Sequence, residues 1–468
     1  MSLLHRIQFA KTVRQVRDVP TWSPSRILHA QRRRLERLLT HTLSKSPYYR
    51  AKFGEVDIKK FRLDQLPPTT KDEMRENFDS LVTDKRLHRT DLEQYVSDDR
   101  NLGKWYLDEY AVCQTSGSQG APLQIVQNRS SLNVIFALMS ARSSPDGAPN
   151  LWEGIRRLIR PKHVVAMLFR RGVYPSSMTV DFMPHIVAPF ARLTRLSSMQ
   201  ADLIDRLNEL QPDVLTGYAS VLEALALQPN RLKLKNLEYI TNCSEQLSSR
   251  AKARIEEGFG VPVFDHYGTG ECLQLADACR GCGGVHINSD WAILETVDDN
   301  NQPVPAGTSG AKILVTNLAN YVQPFIRYEI GDRVALSAQT CSSANNLPRI
   351  ERFEGRSAEL FWVREGSNDR FLTYVLFHSS ADSLGEIREW RAIQTERNRV
   401  EFHIQLIHEQ PNSAAEDEIK RRLLVRLAEY GMPSCVVVNV TIVDAITSDE
   451  RTGKMRRMIS EIGPPNLA

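Results

Sequence analysis

The sequence predicts an α/β protein, with a large N-terminal domain followed by a small α+β lobe. Three observations carry that expectation. Short apolar strands alternate with helices through the middle of the chain, a β-rich tract takes over from Trp291, and a strand, a helix and a strand follow one another within residues 356–468. The alternation indicates a mostly parallel sheet covered by helices, because parallel neighbours need a crossover connection.

Residues 1–90 read as largely helical. Ala30 to Leu43 sets Leu35, Leu38, Leu39 and Leu43 near the 3.6-residue period, and Ser46-Pro47 stops that helix. Tyr48 and Tyr49 are expected to pack. Leu66 to Lys71 (LPPTTK) reads as extended, since its prolines fix φ and remove N–H donors, and Asp72 to Phe78 suits a short helix. Gly103 to Gln114 turns strand-like, and Ser130 to Arg142 is a helix with Leu132, Ile135, Phe136 and Met139 on one face. Strands follow at His163–Phe169, Val214–Leu215, Leu237–Thr241 and Val261–His266. Helices lie between them at Ser220–Leu227 and Ser248–Gly258, the second ending on its glycine. The β-rich tract holds Ala292–Val297, a turn at Pro305-Ala306-Gly307, Ala311–Asn317 and Arg333–Ser337. In the last unit, Val400–Ile407 and Cys435–Val443 are strands, and Ala415–Tyr430 is an amphipathic helix broken by Gly431 and Pro433. The expected domains are 1–355 and 356–468.

Composition narrows the function classes. The chain has 468 residues, more than one ordinary core, with 41% hydrophobic and 25% charged residues, as in a soluble globular protein. Its formal charge of +4 gives no reason to expect a nucleic-acid partner, and clusters such as Arg32-Arg33-Arg34 read as solvated helix faces. No run of 18 apolar residues suggests a membrane span, and the charged N-terminus has no secretory h-region. Seven cysteines, an odd count, fit a reducing cytosol, so a cytoplasmic protein is expected.

Four segments carry chemistry. Thr115 to Pro122 (TSGSQGAP) combines hydroxyl donors at Thr115, Ser116 and Ser118 with Gly117 and Gly120, which let backbone N–H groups converge on phosphate oxygens. Its spacing is not that of the GxxxxGK[ST] loop. Val263 to Glu271 (VFDHYGTGE) is a strand that breaks at glycines and delivers Glu271, well placed to take Mg²⁺. Ile326 to Asp332 (IRYEIGD) ends on an acceptor suited to the two hydroxyls of a ribose. Thr452-Gly453-Lys454 sets a lysine in a polar turn, where it can neutralise charge growing between an acyl group and a phosphate. Each alone also reads as an ordinary turn.

In this order the four segments resemble the adenylate-forming superfamily, with a closer likeness to its phenylacetate–CoA ligase and capsule-biosynthesis branch. Thr115–Pro122 is similar to the family's phosphate loop. Tyr267, Gly268 and Glu271 match its Tyr-Gly-x-x-Glu segment, and Tyr328, Gly331 and Asp332 its Tyr-x-x-Gly-Asp segment. Gly355-Arg356 matches the domain junction and Gly453-Lys454 the terminal Gly-Lys. SPYYR at 46–50, LPPTTKDEMREN at 66–77 and PDVLTGYASVLEALA at 212–226 extend the likeness over nearly the whole chain. It departs at Gln119 and Gly270, where many relatives carry Thr, and at Ala358, where Asp or Lys is common.

The resemblance implies a multi-subdomain adenylation domain at 1–355 and a mobile lobe at 356–468. It implies that a carboxylic acid, aromatic or otherwise apolar, is activated by ATP·Mg²⁺ to an acyl-adenylate and passed to coenzyme A. Thr115, Ser116, Gly117, Ser118 and Gly120 would hold phosphates. Tyr267 and Gly268 would flank the nucleotide, Glu271 would take Mg²⁺, Asp332 the ribose, Arg356 the ribose or phosphate, and Lys454 the developing charge. A carrier protein or amine as acceptor, a homologue without catalysis, and a homodimer stay open. Separately, Cys272, Cys279, Cys282 and His286 read C-x6-C-x2-C-x3-H, a zinc-like spacing. Either these four hold a structural Zn²⁺, or Cys272 packs in the core and His286 opens a strand. Cys113, Cys243, Cys341 and Cys435 are expected as buried small hydrophobes.

Overall fold

The computed structural model describes residues 3–115, 122–143, 163–169, 179, 181–182, 191–198, 200, 202–356, 361–366, 368–372, 374–381, 384, 386–407, 413–429, 435–447 and 455–462. Two compact units account for the chain. One comprises Met1–Leu247, Ala251–Ile330 and Ala335–Arg352; the other comprises Ser248–Arg250, Gly331–Val334 and Phe353–Ala468.

In the first unit, the helix predicted at Ala30–Leu43 runs from Pro24 to Lys45, capped by Ser23. Ser46 ends it and caps the next helix, Pro47–Phe53, so one hydroxyl serves the boundary that the Ser-Pro pair signals. Tyr49 is fully buried there and donates to the Pro324 carbonyl at 2.8 Å. The LPPTT stretch is extended and bridges Thr69 to Tyr328 in parallel. Thr70 then forms a capping box with Glu73 to start Lys71–Glu76.

Arg327 secures this N-terminal connector. It is 2% exposed, donates to the Leu66 and Asp64 carbonyls, and pairs with Glu295 at 3.1 Å. Arg327→Met leaves the Glu295 carboxylate, already pushed up by burial, without its cation. We expect a loss of about 3–5 kcal/mol, read as a lower midpoint in urea unfolding.

The central sheet has nine strands. Their order is Asp332–Leu336, Arg349–Arg356, Val285–Ile287, Ala276–Ala278, Val263–Tyr267, Tyr239–Cys243, Val214–Gly217, His163–Phe169 and Ala191–Ser197. The five strands from Ala191–Ser197 to Val263–Tyr267 run parallel, as the βαβ alternation predicts. Ala276–Ala278 reverses direction against Val263–Tyr267. Helices Leu203–Leu210, Ala219–Ala226 and Ser249–Phe259 pack on this sheet through Leu207, Leu222, Leu225 and Ile255.

The helix expected to end at Gly258 continues to Phe259, and Gly260, at φ +69°, follows it. Gly258 answers to packing instead: a Cβ there would lie 2.6 Å from the Ala226 carbonyl oxygen. Ala292–Val297, Lys312–Asn317 and Tyr328–Ile330 form a separate three-stranded antiparallel sheet.

The second unit contains a four-stranded sheet ordered Val437–Ile442, Arg399–Leu406, Ile387–Glu396 and Met458–Ser460. The helix Ser413–Glu429 connects the parallel pair Arg399–Leu406 and Val437–Ile442. It buries Ile419, Leu423 and Leu427 in a core shared with Phe361, Phe377, Trp390 and Phe402.

Candidate active site

Val263–Tyr267 is the last parallel strand before the sheet turns antiparallel, a place where α/β sheets offer a cleft at their carboxyl ends. The chain leaves it through Gly268, where any Cβ would stand 2.0 Å from the Leu273 carbonyl oxygen, so only glycine fits. A tight turn follows: Thr269 and Cys272 exchange backbone hydrogen bonds of 3.1 Å, and the Thr269 hydroxyl accepts from Cys272 N–H. Glu271 sits inside this turn.

The loop is tied at both ends by His266. Its Nδ1 lies 3.0 Å from Asp277 Oδ1 and its Nε2 lies 2.8 Å from the Leu273 carbonyl. Acceptors on both nitrogens favour the doubly protonated ring. Burial works against that charge, but Asp277 outweighs it and holds the imidazole above its ordinary value. Burial pushes Asp277 up, yet His266, Ser143 at 2.5 Å and Asn288 at 2.8 Å bring it below the usual carboxylate range. A raised histidine therefore stabilises fully below about pH 6.5, and that contribution fades as pH rises through the folded value. In urea unfolding, the stability gap between wild type and His266→Gln should therefore shrink as pH rises above 6.5, and a gap that widens contradicts the ion pair.

The Glu271 side chain is held, not free. Residue 271 is 9% exposed, Tyr328 Oη donates to its Oε1 at 2.9 Å, and Asn317 Nδ2 donates to its backbone carbonyl at 2.8 Å. Burial, with Glu271 adding to it, pushes the Tyr328 phenol far up, so it remains a donor. Among the described residues no basic side chain pairs with Glu271. A buried carboxylate without a protein cation is a hard oxygen ligand suited to a divalent ion.

The turn packs on the hairpin that carries the hydroxyl/glycine segment. A Cβ on Gly270 would meet Ile125 Cδ1 at 3.0 Å and Thr115 Cγ2 at 3.5 Å. Thr115 follows the strand Tyr110–Gln114 and closes the neck of its loop: its N–H donates to the Leu123 carbonyl and its Oγ1 accepts from Leu123 N–H, both at 3.0 Å. The hydroxyl proton of Thr115 is thus not used in that bond. Ser116, Gly117, Ser118, Gly120 and Lys454 lie outside the described residues. Tyr267 ends its strand half-buried, Asp332 opens Asp332–Leu336 half-buried, and Arg356 closes Arg349–Arg356, the last two in the second unit. Sequence reasoning overlooked Tyr328, Asn317, His266 and Asp277 as supports; Tyr328 was visible as the first residue of Tyr-x-x-Gly-Asp.

The side chains of Cys279, Cys282, His286 and Cys341 converge, their ligand atoms all within 4.8 Å of one another. Cys272 is not among them: the Thr269–Cys272 turn buries it beside Glu271, and burial pushes its thiol up to about 12. Cys341, expected as a buried hydrophobe, is instead partly exposed and completes the group.

No protein-family model matches the chain. A phenylacetate-coenzyme A ligase of Thermus thermophilus is 23% identical over 370 residues, 74% of each chain. Protein CapK of Staphylococcus aureus is 22% identical over 361 residues, covering 72% of this chain and 70% of CapK. A 2-hydroxyisobutyryl-CoA ligase, solved in a postadenylation state with R3-HIB-AMP, superposes with a TM-score of 0.72 at 18% identity, over 95% of this chain and 92% of that one. The chain has the fold of this CoA ligase. Its mixed α/β architecture and nearly its whole length are covered by that likeness, and among the described residues no helix is long and apolar enough to cross a membrane.

Proposed function

We propose that this adenylate-forming fold activates a carboxylic acid with ATP and passes the acyl group to a thiol, as an AMP-forming acid–thiol ligase. The observation that carries the reading is Glu271: a buried carboxylate, oriented by Tyr328, without a protein cation among the described residues, on a loop packed against Thr115. The relatives named for CoA ligation support the thiol acceptor.

In this proposal Glu271 would hold Mg²⁺, which would supply neutralising charge to the phosphates. Thr115, whose hydroxyl proton is not used in its bond from Leu123 N–H, and Ser116, Gly117, Ser118 and Gly120 donate to phosphate oxygens. Tyr267 and Gly268 border the nucleotide, Asp332 accepts from the ribose hydroxyls, and Arg356 contacts ribose or phosphate. The substrate carboxylate attacks the α-phosphorus; pyrophosphate leaves with the electron pair of the broken P–O bond. Lys454 offsets the negative charge shared between carboxylate and α-phosphate. The thiol then attacks the acyl carbon and AMP departs, with residues 356–468 acting as the mobile lobe between steps. The acid is proposed as aromatic or otherwise apolar, and the thiol as coenzyme A.

Coenzyme A dependence of AMP release tests the second step. Release of AMP and acyl-CoA only when the thiol is present supports coenzyme A as acceptor. Acyl-AMP that accumulates unchanged with coenzyme A present points to a carrier protein or amine.

A further inference from the structure

We infer that Cys279, Cys282, His286 and Cys341 form a closed structural zinc site that pins the 337–348 loop to the hairpin of Ala276–Ala278 and Val285–Ile287. This rests on residues independent of the proposed reaction. A zinc tetrahedron with Zn–S of ~2.3 Å and Zn–N of ~2.0 Å has S···S edges of ~3.8 Å and S···N edges of ~3.5 Å. The structure has Cys279 Sγ and Cys341 Sγ 3.9 Å apart, and Cys282 Sγ 3.4 Å from His286 Nε2. The sulfur separation is far beyond the ~2.05 Å of a disulfide, so the thiols are neighbours without being bonded.

The surroundings are those of a ligand set. His286 Nδ1 lies 2.7 Å from the Leu347 carbonyl, which fixes the proton there and turns Nε2 inward as a donor atom. Backbone N–H groups of Gly284 and Ser343 point at Cys282 Sγ and Cys341 Sγ, each at 3.4 Å, as they do toward thiolates. The turn between the two hairpin cysteines is tight: Cys279 N–H donates to Gly284 O at 2.7 Å, Gly283 N–H donates to Cys279 O at 2.8 Å, and Gly283 has φ +67°. Gly281 lets the two loops touch, since a Cβ there would lie 2.1 Å from Ser343 Cβ.

The C-terminal end of the 337–348 loop is held by Asn346, whose N–H and Nδ2 donate to the Pro20 and Trp22 carbonyls at 2.8 and 3.0 Å, and by Leu347, packed with Val19 and Ile27; the stretch around Cys341 has little apolar anchorage of its own. Ser337 and Arg349 close its base through backbone and side-chain bonds of 2.8 and 2.9 Å. Between them, SAQTCSSANNLP buries only Leu347 and places Ala344 at φ +56°. An ion bridging Cys341 to the hairpin supplies the anchor that apolar burial does not. Three sulfurs and one nitrogen complete a tetrahedron with no position for water, so the site is structural rather than catalytic.

The test is zinc content of full-length protein purified without a histidine tag, together with Co²⁺ substitution. About one zinc per chain is expected, and less than ~0.3 overturns the inference. Cys341→Ser should lose the metal while Cys272→Ser keeps it; the reverse pattern assigns the fourth ligand to Cys272 and contradicts the geometry. Should Cys341→Ser not fold, the wild-type Co²⁺ spectrum still decides, because thiolate charge-transfer and tetrahedral d–d bands are required, and octahedral bands overturn the site.

Discussion

Glu271→Gln is expected to lower carboxylate-dependent ATP–pyrophosphate exchange by about 10²–10³-fold, the scale of several kcal/mol of charge stabilisation at a metal-assisted site. The amide keeps the size of the side chain and can still accept from Tyr328, so the loop between Gly268 and Leu273 should retain its shape. Only the charge offered to a divalent ion is lost. Tyr328→Phe separates position from charge: the carboxylate remains, but its orienting donor is gone, and a smaller loss of about 10–100-fold is expected. Raising Mg²⁺ should partly restore Tyr328→Phe and not Glu271→Gln. Equal exchange in wild type and Glu271→Gln removes Glu271 from the reaction.

Lys454→Ala should lower the same exchange by about 10²–10³-fold, the usual cost of removing one preorganised donor from a developing charge. The effect should fall on adenylation alone. Supplied with preformed acyl-adenylate and coenzyme A, the variant should form thioester at a rate near that of wild type. Near-normal exchange in Lys454→Ala would sink the role of this lysine without touching the fold.

Much of the architecture was legible in the sequence because the patterns are strong and local. The apolar runs at His163–Phe169 and Ala292–Val297 are strands with those bounds, since buried strands need continuous or alternating apolar residues that turns then interrupt. Ser46-Pro47 was legible as the end of a helix, whereas Ser23 and Thr70, whose hydroxyls satisfy the first free N–H groups of their helices, were not read as starts, so those helices begin earlier than the expected Ala30 and Asp72. The short strand Ala276–Ala278 went unread, because three residues carry no period and its pairing is set by distant contacts, and Val285–Ile287 entered only through the alternative in which His286 opens a strand. The same reason explains the site. Glu271 stands out beside two glycines, but its orientation depends on Tyr328 and Asn317, 57 and 46 residues away. Cys272 looked like a ligand because it lies near Cys279 in sequence, whereas Cys341, 62 residues from Cys279, is its neighbour in space.

Carboxylate-dependent ATP–pyrophosphate exchange, run over a panel of acids with aryl acids first and without any thiol, tests the proposed activity most directly. Exchange with one class of acid is expected, abolished when Mg²⁺ is chelated. ATP binding without exchange for any acid in the panel would contradict acid activation and leave a nucleotide-binding protein on an adenylate-forming fold.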